Sequence, residues 1–254
     1  MTLKDKRIVI LGGTSGIGLA TAQAAAQDGA AIVVASSRQR SVDNALATLP
    51  AGTEGHALDL SNEEAVRGLF DRIGAFDHLV FTAGETLQLG ELADTSLDQA
   101  RQAFNLRYWG AFAAAKYAGK LIRSGGSIVL TTGIASLRPR KGWTVAASIC
   151  GAMDALTRAL AIELAPIRVN AVSPGVVRTA LWSNMSEADR DAMYRDIGAA
   201  LPVGRVAEAT DIACRANSNA VVRPIPVRAP VMRTAAFRSC EVFMVLTSFD
   251  RAAA

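Results

Sequence analysis

Cysteine and histidine are scarce in this sequence of 254 residues. Its three cysteines (Cys150, Cys214 and Cys240) and its two histidines (His56 and His78) lie far apart in the chain. That spacing argues against a four-ligand zinc site, a histidine-based metal centre and a disulfide framework. Aromatic residues are also scarce, at 6%, while half of the sequence is hydrophobic. This composition suits an α/β core rich in Ala, Val and Leu.

Charge is absent from residues 8–27, a stretch as long as a membrane span. Four glycines and several polar residues interrupt the stretch, so we expect a strand, a turn and a helix there instead. Residues 1–7 are charged and do not resemble a signal peptide. The sequence therefore predicts a cytoplasmic protein without a membrane partner.

The net charge of +4 comes from the end of the chain. Six of the 27 Lys and Arg lie in residues 212–254, where the acidic residues are Glu241 and Asp250, so residues 1–211 are neutral overall. The six Arg are scattered among Pro, Val and Ala and form no dense cluster. We therefore expect no nucleic-acid partner.

Short β-branched runs alternate with alanine-rich helical segments from residue 7 to about residue 211. This alternation predicts one α/β domain over residues 1–211, a doubly wound parallel sheet with helices on both faces. Residues 212–254 form an atypical tail, interrupted by prolines, that offers no clear helix or strand. The expected strands are Ile8–Leu11, Ala31–Ala35, His78–Phe81, Ser127–Thr131 and Ile167–Ala171, and the expected helices are Gly18–Asp28, Asn62–Ile73, Leu97–Arg123 and Ala146–Ala165.

A glycine-rich turn, Gly12-Gly13-Thr14-Ser15-Gly16-Ile17-Gly18, joins the first strand to the first helix. Gly12 can make the tight turn, Gly16 lets the backbone approach a pyrophosphate, and Gly18 lets the helix pack on the strand. The free N–H groups at the start of the helix favour phosphate. The turn predicts dinucleotide binding, and its alternative is a tight loop without a ligand.

With this turn and the segments that follow it, the sequence resembles the short-chain dehydrogenase/reductase family, whose fold is of the Rossmann type. The resemblance covers roughly residues 5–211, and its motifs occur in the family's order. After the glycine-rich turn come Asp59-Leu60, Thr82-Ala83-Gly84, Asn105, Arg168–Gly175 and Thr179. The resemblance implies a cofactor site formed by Gly12, Thr14, Ser15, Gly16, Ile17, Gly18, Ser37, Arg38, Asp59, Leu60, Ala83, Gly84, Pro174, Gly175, Val177 and Thr179.

The end of the second strand favours NADP, with NAD as the alternative. An acidic residue there would bind a ribose 2′-hydroxyl, whereas an Arg would pair with a 2′-phosphate. The sequence reads Ser36-Ser37-Arg38-Gln39-Arg40, with no acid in reach. The alternative interpretation is that Arg38 and Arg40 only solvate a surface loop.

The residues that carry the family's chemistry are missing. In the family a Tyr donates a proton to the carbonyl oxygen, a Lys four residues later lowers the pKa of that Tyr, and a Ser thirteen residues before the Tyr polarises the carbonyl. The stretch Gly151–Ala161 matches the sequence directly after the Lys, which puts the Lys position at Cys150, the Tyr at Ala146 and the Ser at Gly133. Asn105 alone is kept. The whole-chain resemblance indicates a divergent branch that lacks the Tyr/Lys pair.

Substitutes for the missing groups can be named. Thr132, next to the Ser position, could donate a hydrogen bond, so Thr132 and Asn105 are the predicted catalytic residues. Cys150 is expected to be an inert buried thiol, because nothing nearby in sequence would lower its pKa. Cationic residues that could stabilise an oxyanion, each with a surface position as its alternative, are Arg107, Arg138, Arg140 and Lys141.

Two functions remain open from sequence. One is an NADP-dependent oxidoreductase acting on a small carbonyl compound or alcohol with a non-standard proton donor. The other is a catalytically degenerate dinucleotide-binding protein that works by binding or assembly. An apolar lid over residues 180–205, with Leu181, Trp182, Met185, Met193 and Tyr194, would cover the substrate.

The resemblance also implies a homodimer that pairs the helices of residues 97–123 and 146–165. Alanines on the first of these helices would let the two helices approach closely across the dimer. The alternative is that the alanines pack against the sheet of their own chain. These residues are Ala111, Ala113, Ala114, Ala115 and Ala118.

The tail differs from the family's own ending, a helix and a strand followed by Asp-Gly-Gly. Read in another frame, Val231–Ala236 can encode Ala-Asp-Gly-Gly if the gene is GC-rich. We therefore expect a frameshift near residues 212–216, with a lineage-specific extension as the alternative. The expected consequences are an unpaired sheet edge and doubtful assembly beyond the dimer.

Overall fold

A central sheet of seven strands organises the part of the chain that a computed structural model describes, residues 3–85, 87 and 89–213 and the backbone of 245–248. Its strands are β1 (Arg7–Leu11), β2 (Ala31–Ser36), β3 (Glu54–Ala57), β4 (Phe76–Phe81), β5 (Ile122–Thr131), β6 (Arg168–Ser173) and β9 (Val245–Ser248). Their order is β3-β2-β1-β4-β5-β6-β9, and β1 to β6 are parallel. Two short strands, β7 (Val177–Arg178) and β8 (Ala207–Glu208), pair separately.

Helices cover both faces of the sheet. Alternate residues of β1 face opposite sides, with Val9 and Leu11 in one core and Ile8 and Ile10 in the other. Because both of their faces are buried, the central strands β1 and β2 are almost continuously apolar. The predicted doubly wound α/β fold is confirmed. The helices are α1 (Gly16–Gln27), α2 (Gln39–Leu46), α3 (Glu63–Ile73), α4 (Leu97–Phe104), α5 (Ala111–Ala118), α6 (Thr144–Glu163) and α7 (Glu187–Ala199).

The sheet winds outward in two directions from the boundary between β1 and β4. Ile8 pairs with Ile32 of β2 on one side and with His78 of β4 on the other. The loops after these strands diverge at the carboxyl edge and leave a crevice, the usual ligand site of such sheets.

The helix predicted at Leu97–Arg123 is wrong in its interior and at its end. α4 stops at Phe104, a π-helical segment occupies Asn105–Gly110, and α5 stops at Ala118, before β5 begins at Ile122. The extra residue of a π turn rotates the faces of a helix, which a single 3.6-residue period cannot describe. No bounds were predicted for α2, β3 and α7.

The alanines of α5 pack inside the chain. All five are at most 8% exposed and belong to the core between α5 and the sheet, so their expected role in pairing two subunits is wrong. The other side of this region exposes larger apolar side chains, with Trp109 at 55% and Phe112 at 41%.

The expected unpaired edge of the sheet is also wrong. β9 lies antiparallel along β6 and pairs Val245 with Ser173 and Ser248 with Asn170. The apolar run before Ser248 favours a strand, and edge backbone groups accept any suitable strand. The prolines of the predicted tail lie outside the described residues.

One described helix, α6, is long and apolar enough by composition to cross a membrane. A third of its most apolar window, 33%, is buried inside the protein, and a core helix passes the same test.

Candidate functional site

The glycine-rich turn forms the floor of the crevice. Gly12 has a φ of +88°, and a Cβ there would lie 2.5 Å from the backbone nitrogen of Ala83. Gly18 is closer still, since its Cβ would lie 2.1 Å from the carbonyl oxygen of Gly12. α1 begins at Gly16 without a side-chain cap on Ser15 and without an acidic residue in its first turn. Its N–H groups therefore remain open to an anionic ligand, and the turn fits a pyrophosphate.

A cavity of about 650 Å³ extends from this turn along the carboxyl edge of the sheet. Every residue of the predicted cofactor site lines it. The set therefore converges on one surface although it comes from five separate segments of the chain. These residues are Gly12, Thr14, Ser15, Gly16, Ile17, Gly18, Ser37, Arg38, Asp59, Leu60, Ala83, Gly84, Pro174, Gly175, Val177 and Thr179.

One end of the cavity carries Arg38 and Asp59. Arg38 is exposed at the start of α2, whereas Arg40 does not line the cavity. Oδ1 of Asp59 accepts hydrogen bonds from the N–H of Ser61 at 2.9 Å and its hydroxyl at 2.7 Å, so this carboxylate also fixes the local turn. Asp59 follows β3, and no acidic residue of the described lining follows β2 directly. Arg38 can therefore meet a phosphate at the end of β2.

The three positions to which the resemblance assigns the family's Ser, Tyr and Lys lie together at the other end. Gly133, Ala146 and Cys150 all line the cavity, and a Cβ on Gly133 would lie 3.0 Å from Sγ of Cys150. Burial, with the charge of Asp154 adding to it, raises the pKa of Cys150 to about 11. Cys150 is therefore a neutral thiol at pH 7 and does not supply the missing ammonium charge.

The two predicted catalytic residues have different positions. Thr132 lines the cavity, and its hydroxyl donates a hydrogen bond of 3.0 Å to the carbonyl oxygen of Cys150. Asn105 is exposed and is not part of the lining. The π-helical segment that begins at Asn105 brings Leu106 and Arg107 to the cavity instead.

Of the four cationic candidates, Arg107 alone reaches the cavity. Lys141 is exposed and pairs with Glu91 at 2.6 Å, and Arg140 is exposed with its guanidinium 5.7 Å from the ring centre of Trp143. Arg138 is exposed as well. Lys141, Arg140 and Arg138 therefore occupy surface positions, which was the alternative interpretation of each.

The predicted lid contributes part of the wall. Leu181 and Trp182 line the cavity, and the indole N–H of Trp182 donates to the carbonyl oxygen of Val177 at 3.0 Å. Met185, Met193 and Tyr194 pack behind them in a small apolar cluster. The cavity is also lined by Glu85, Trp143 and Met153, which were not among the predicted site residues. Glu85 directly follows the Thr82-Ala83-Gly84 motif, and this adjacency could have identified it.

Comparisons with known proteins cover the same body of the chain. The model of the enoyl-(acyl carrier protein) reductase family matches residues 12–217. The short-chain dehydrogenase/reductase ucsE of Acremonium sp is 36% identical over 214 residues, which is 77% of this chain and 81% of that protein. A crystal structure of a small-chain dehydrogenase in complex with NADPH is 39% identical, with a TM-score of 0.70 over 84% of this chain and 89% of that chain. NAD⁺-bound xylitol dehydrogenase is 26% identical, with a TM-score of 0.79 over 86% of this chain and 93% of that chain.

Proposed function

The chain belongs to the short-chain dehydrogenase/reductase family, and on that premise we propose that it is an oxidoreductase that uses NADP(H) in preference to NAD(H). Its substrate is a small carbonyl compound or the corresponding alcohol. The observation that carries the proposal is that all of the family's cofactor positions in this chain line the same cavity as Gly133, Ala146 and Cys150.

The residues present fit a dinucleotide. The turn at Gly12 and Gly18 admits no Cβ, and the N–H groups at the start of α1 suit its phosphates. Arg38 would meet a 2′-phosphate, and a relative of 39% identity is described in complex with NADPH. A bound nicotinamide would supply or accept hydride at the end of the cavity near Thr132 and Pro174.

The proton donor is non-standard. We propose that the chain belongs to a branch of the family without the Tyr/Lys pair, because Ala146 and Cys150 occupy the two positions and Cys150 is a half-buried neutral thiol. Thr132 can still accept a hydrogen bond from a substrate or water while it donates to Cys150. Asn105 would act through a neighbour, since its side chain is exposed.

The proposal extends to assembly and location. Exposed Trp109 and Phe112 beside α5, and exposed Ile162 on α6, suit a homodimer formed by the helices that the family pairs. We further propose a cytoplasmic location, and a frameshift origin for residues from about 212 onward. The family match ends at residue 217, which supports a change of sequence near that point.

Fluorescence titration of the purified protein with NADPH and with NADH tests the cofactor. We expect tighter binding of NADPH. Arg38→Gln should weaken NADPH binding by about 10-fold or more, because a charge-assisted hydrogen bond to the 2′-phosphate is lost. NADH lacks that phosphate, so its binding should be nearly unchanged. Arg40→Gln is the matched control, because Arg40 is exposed but lies off the cavity.

A carbonyl panel followed by NADPH oxidation tests catalysis. Aldehydes, ketones and α-diketones are each added to the protein with NADPH, and absorbance at the nicotinamide band is recorded. Turnover of any member supports the oxidoreductase. Tight NADPH binding with no turnover across the panel would favour the degenerate binding protein, and no binding of either nucleotide would contradict both.

A further inference from the structure

Arg107 enters the cavity because of the π-helical segment between α4 and α5. Asn105, Leu106 and Arg107 are consecutive, yet Asn105 is exposed while the other two line the cavity. π turns are rare and occur frequently at functional sites. The segment thus places a cation where α-helical continuation would not.

The guanidinium of Arg107 is held in one position by two neighbours. A Cβ on Gly84 would lie 2.7 Å from Cζ of Arg107, so the guanidinium packs flat against this glycine. Nη2 donates a hydrogen bond to the backbone carbonyl of Glu85, and Nε lies 3.4 Å from Oε1 of the same residue. The side chain of Arg107 is 22% exposed, so these contacts hold a partly buried charge.

Two polar atoms of this pair lack hydrogen bonds. Nε of Arg107 and Oε2 of Glu85 are both buried, and neither has a hydrogen-bond partner among the described residues. Buried donors and acceptors are nearly always paired, so two unpaired buried atoms in one ion pair mark a functional position, and both residues of this pair line the cavity.

Arg107 also supplies the positive charge that the family's Lys position lacks. The charged side chains of the described lining are Arg38 and Asp59 at one end and Glu85 and Arg107 at the other. The charge of Arg107 acts to lower the pKa of the Cys150 thiol, although burial dominates that pKa. The guanidinium therefore lies close enough to influence the position where the ammonium would have been.

We propose that Arg107 binds the substrate's carbonyl oxygen and stabilises the negative charge that develops on it, with Glu85 as the positioning residue. This inference rests on the proposed function. A guanidinium keeps its proton, so Arg107 acts as a hydrogen-bond donor and not as an acid. When hydride adds to the carbonyl carbon, the C=O π pair moves to oxygen. The resulting alkoxide takes a proton from water, and hydroxide returns to the solvent.

A carboxylate probe tests this assignment without turnover. Benzoate carries its negative charge on oxygen and can accept two N–H bonds from a guanidinium. Its binding to the full chain saturated with NADP⁺ is measured by isothermal titration calorimetry. We expect Arg107→Gln to weaken benzoate binding by about 10- to 100-fold and Arg107→Lys to weaken it less. Arg101→Gln is the control, because Arg101 is exposed on α4 and pairs with Asp98.

A second readout covers the case in which Arg107→Gln perturbs the cavity. Alkylation of Cys150 by iodoacetamide at pH 8.5 is followed by peptide mass spectrometry. Arg107→Gln should slow it about twofold or more, because the charge that favours the thiolate is lost, while Arg107→Lys should stay near the wild-type rate. A perturbed, more open cavity would instead raise the rate in both variants.

The outcomes separate this inference from the proposed function. If benzoate binds equally to wild type and Arg107→Gln, or does not bind wild type at all, the role of Arg107 is overturned even though NADPH binds. If wild type binds no dinucleotide, the proposed function fails, and benzoate titrated into the free protein still decides whether Arg107 is an oxyanion site.

Discussion

At the scale of single residues, burial decides which groups of this protein can hold a charge. His78 is buried and Cys150 is half-buried, and desolvation shifts each pKa toward the neutral form, upward for the thiol and downward for the imidazole. The guanidinium of Arg107 is partly buried and lies 3.4 Å from Oε1 of Glu85. The described lining of the cavity thus places this ion pair at the same end as the neutral thiol of Cys150.

His78 makes the stability of the protein depend on pH. Burial lowers its pKa from 6.5 to about 4, and Nδ1 lies 2.9 Å from Oγ of Ser127. Between these values the unfolded chain binds a proton that the folded protein does not. The free energy of unfolding should therefore fall by about 3 kcal/mol as the pH drops from 6.5 to 4, and this contribution is fully restored above 6.5.

Denaturant titrations at several values from pH 4 to pH 7.5 measure how the free energy of unfolding depends on pH, and this dependence is the slope to be compared. His78→Gln should flatten it, whereas His56→Gln should leave most of it, because the His56 side chain is 24% exposed. Parallel curves for wild type and His78→Gln would contradict the assignment.

At the scale of elements, the strands were the most predictable part of the fold. β1, β2, β4, β5 and β6 contain long β-branched or apolar runs whose two faces are both buried, and all five were expected within a few residues except for the start of β5. No bounds were predicted for β3 and α2, because their sequences are short and polar. No periodicity could reveal the π-helical segment, since it inserts a residue into an otherwise helical pattern.

The candidate site was predictable where spacing within one segment decides it, and not where two segments meet. The glycine-rich turn and the Pro174-Gly175 segment both line the cavity as expected. The sequence could not single out Arg107 among four candidate cations, because the orientation of its side chain depends on the π turn and on Gly84. β9 was missed because pairing at a sheet edge depends on backbone groups more than on side chains.

Two glycine substitutions in different elements should have opposite effects on stability. Gly18→Ala would push a Cβ to 2.1 Å from the Gly12 carbonyl oxygen and should lower the free energy of unfolding by about 2–3 kcal/mol. Gly68→Ala lies inside α3 with no atom within 4 Å of its Cβ and should raise it by about 0.5–1 kcal/mol. Urea titration checks both, and a neutral Gly18→Ala would refute the close packing of α1 on the turn.

At the scale of the whole molecule, several large apolar side chains of the described residues are exposed. Ile162 is 65% exposed on α6. Trp109 lies at the end of the π-helical segment and Phe112 at the start of α5, and their ring centres are 6.0 Å apart. Such residues suit burial against a second copy of the chain.

The proposed homodimer is tested by charge substitution on this surface. Trp109→Glu and Ile162→Glu should each shift the mass measured by light scattering after gel filtration from dimer to monomer. Arg40→Glu adds the same charge to an exposed site on α2, next to β3 at the other edge of the sheet, and should leave the mass unchanged. A dimer that persists in both apolar-surface variants would exclude this interface.

The origin of the tail is tested by sequencing the locus. We expect a one-base difference near codons 212–216, after which the reading frame encodes an ending with Asp-Gly-Gly. An uninterrupted frame that encodes residues 212–254 as printed would establish the tail as the protein's own extension.

The pairing of charges in the cavity has a consequence for how ligands arrive. Each end of the described lining carries one cation and one anion, Arg38 with Asp59 and Arg107 with Glu85. An approaching anion therefore meets no net field from the walls and is attracted only at short range, by N–H groups and by single guanidinium groups. Because short contacts inside a crevice are screened little by salt, the association rate of NADPH should be nearly independent of ionic strength between about 0.05 and 0.5 M.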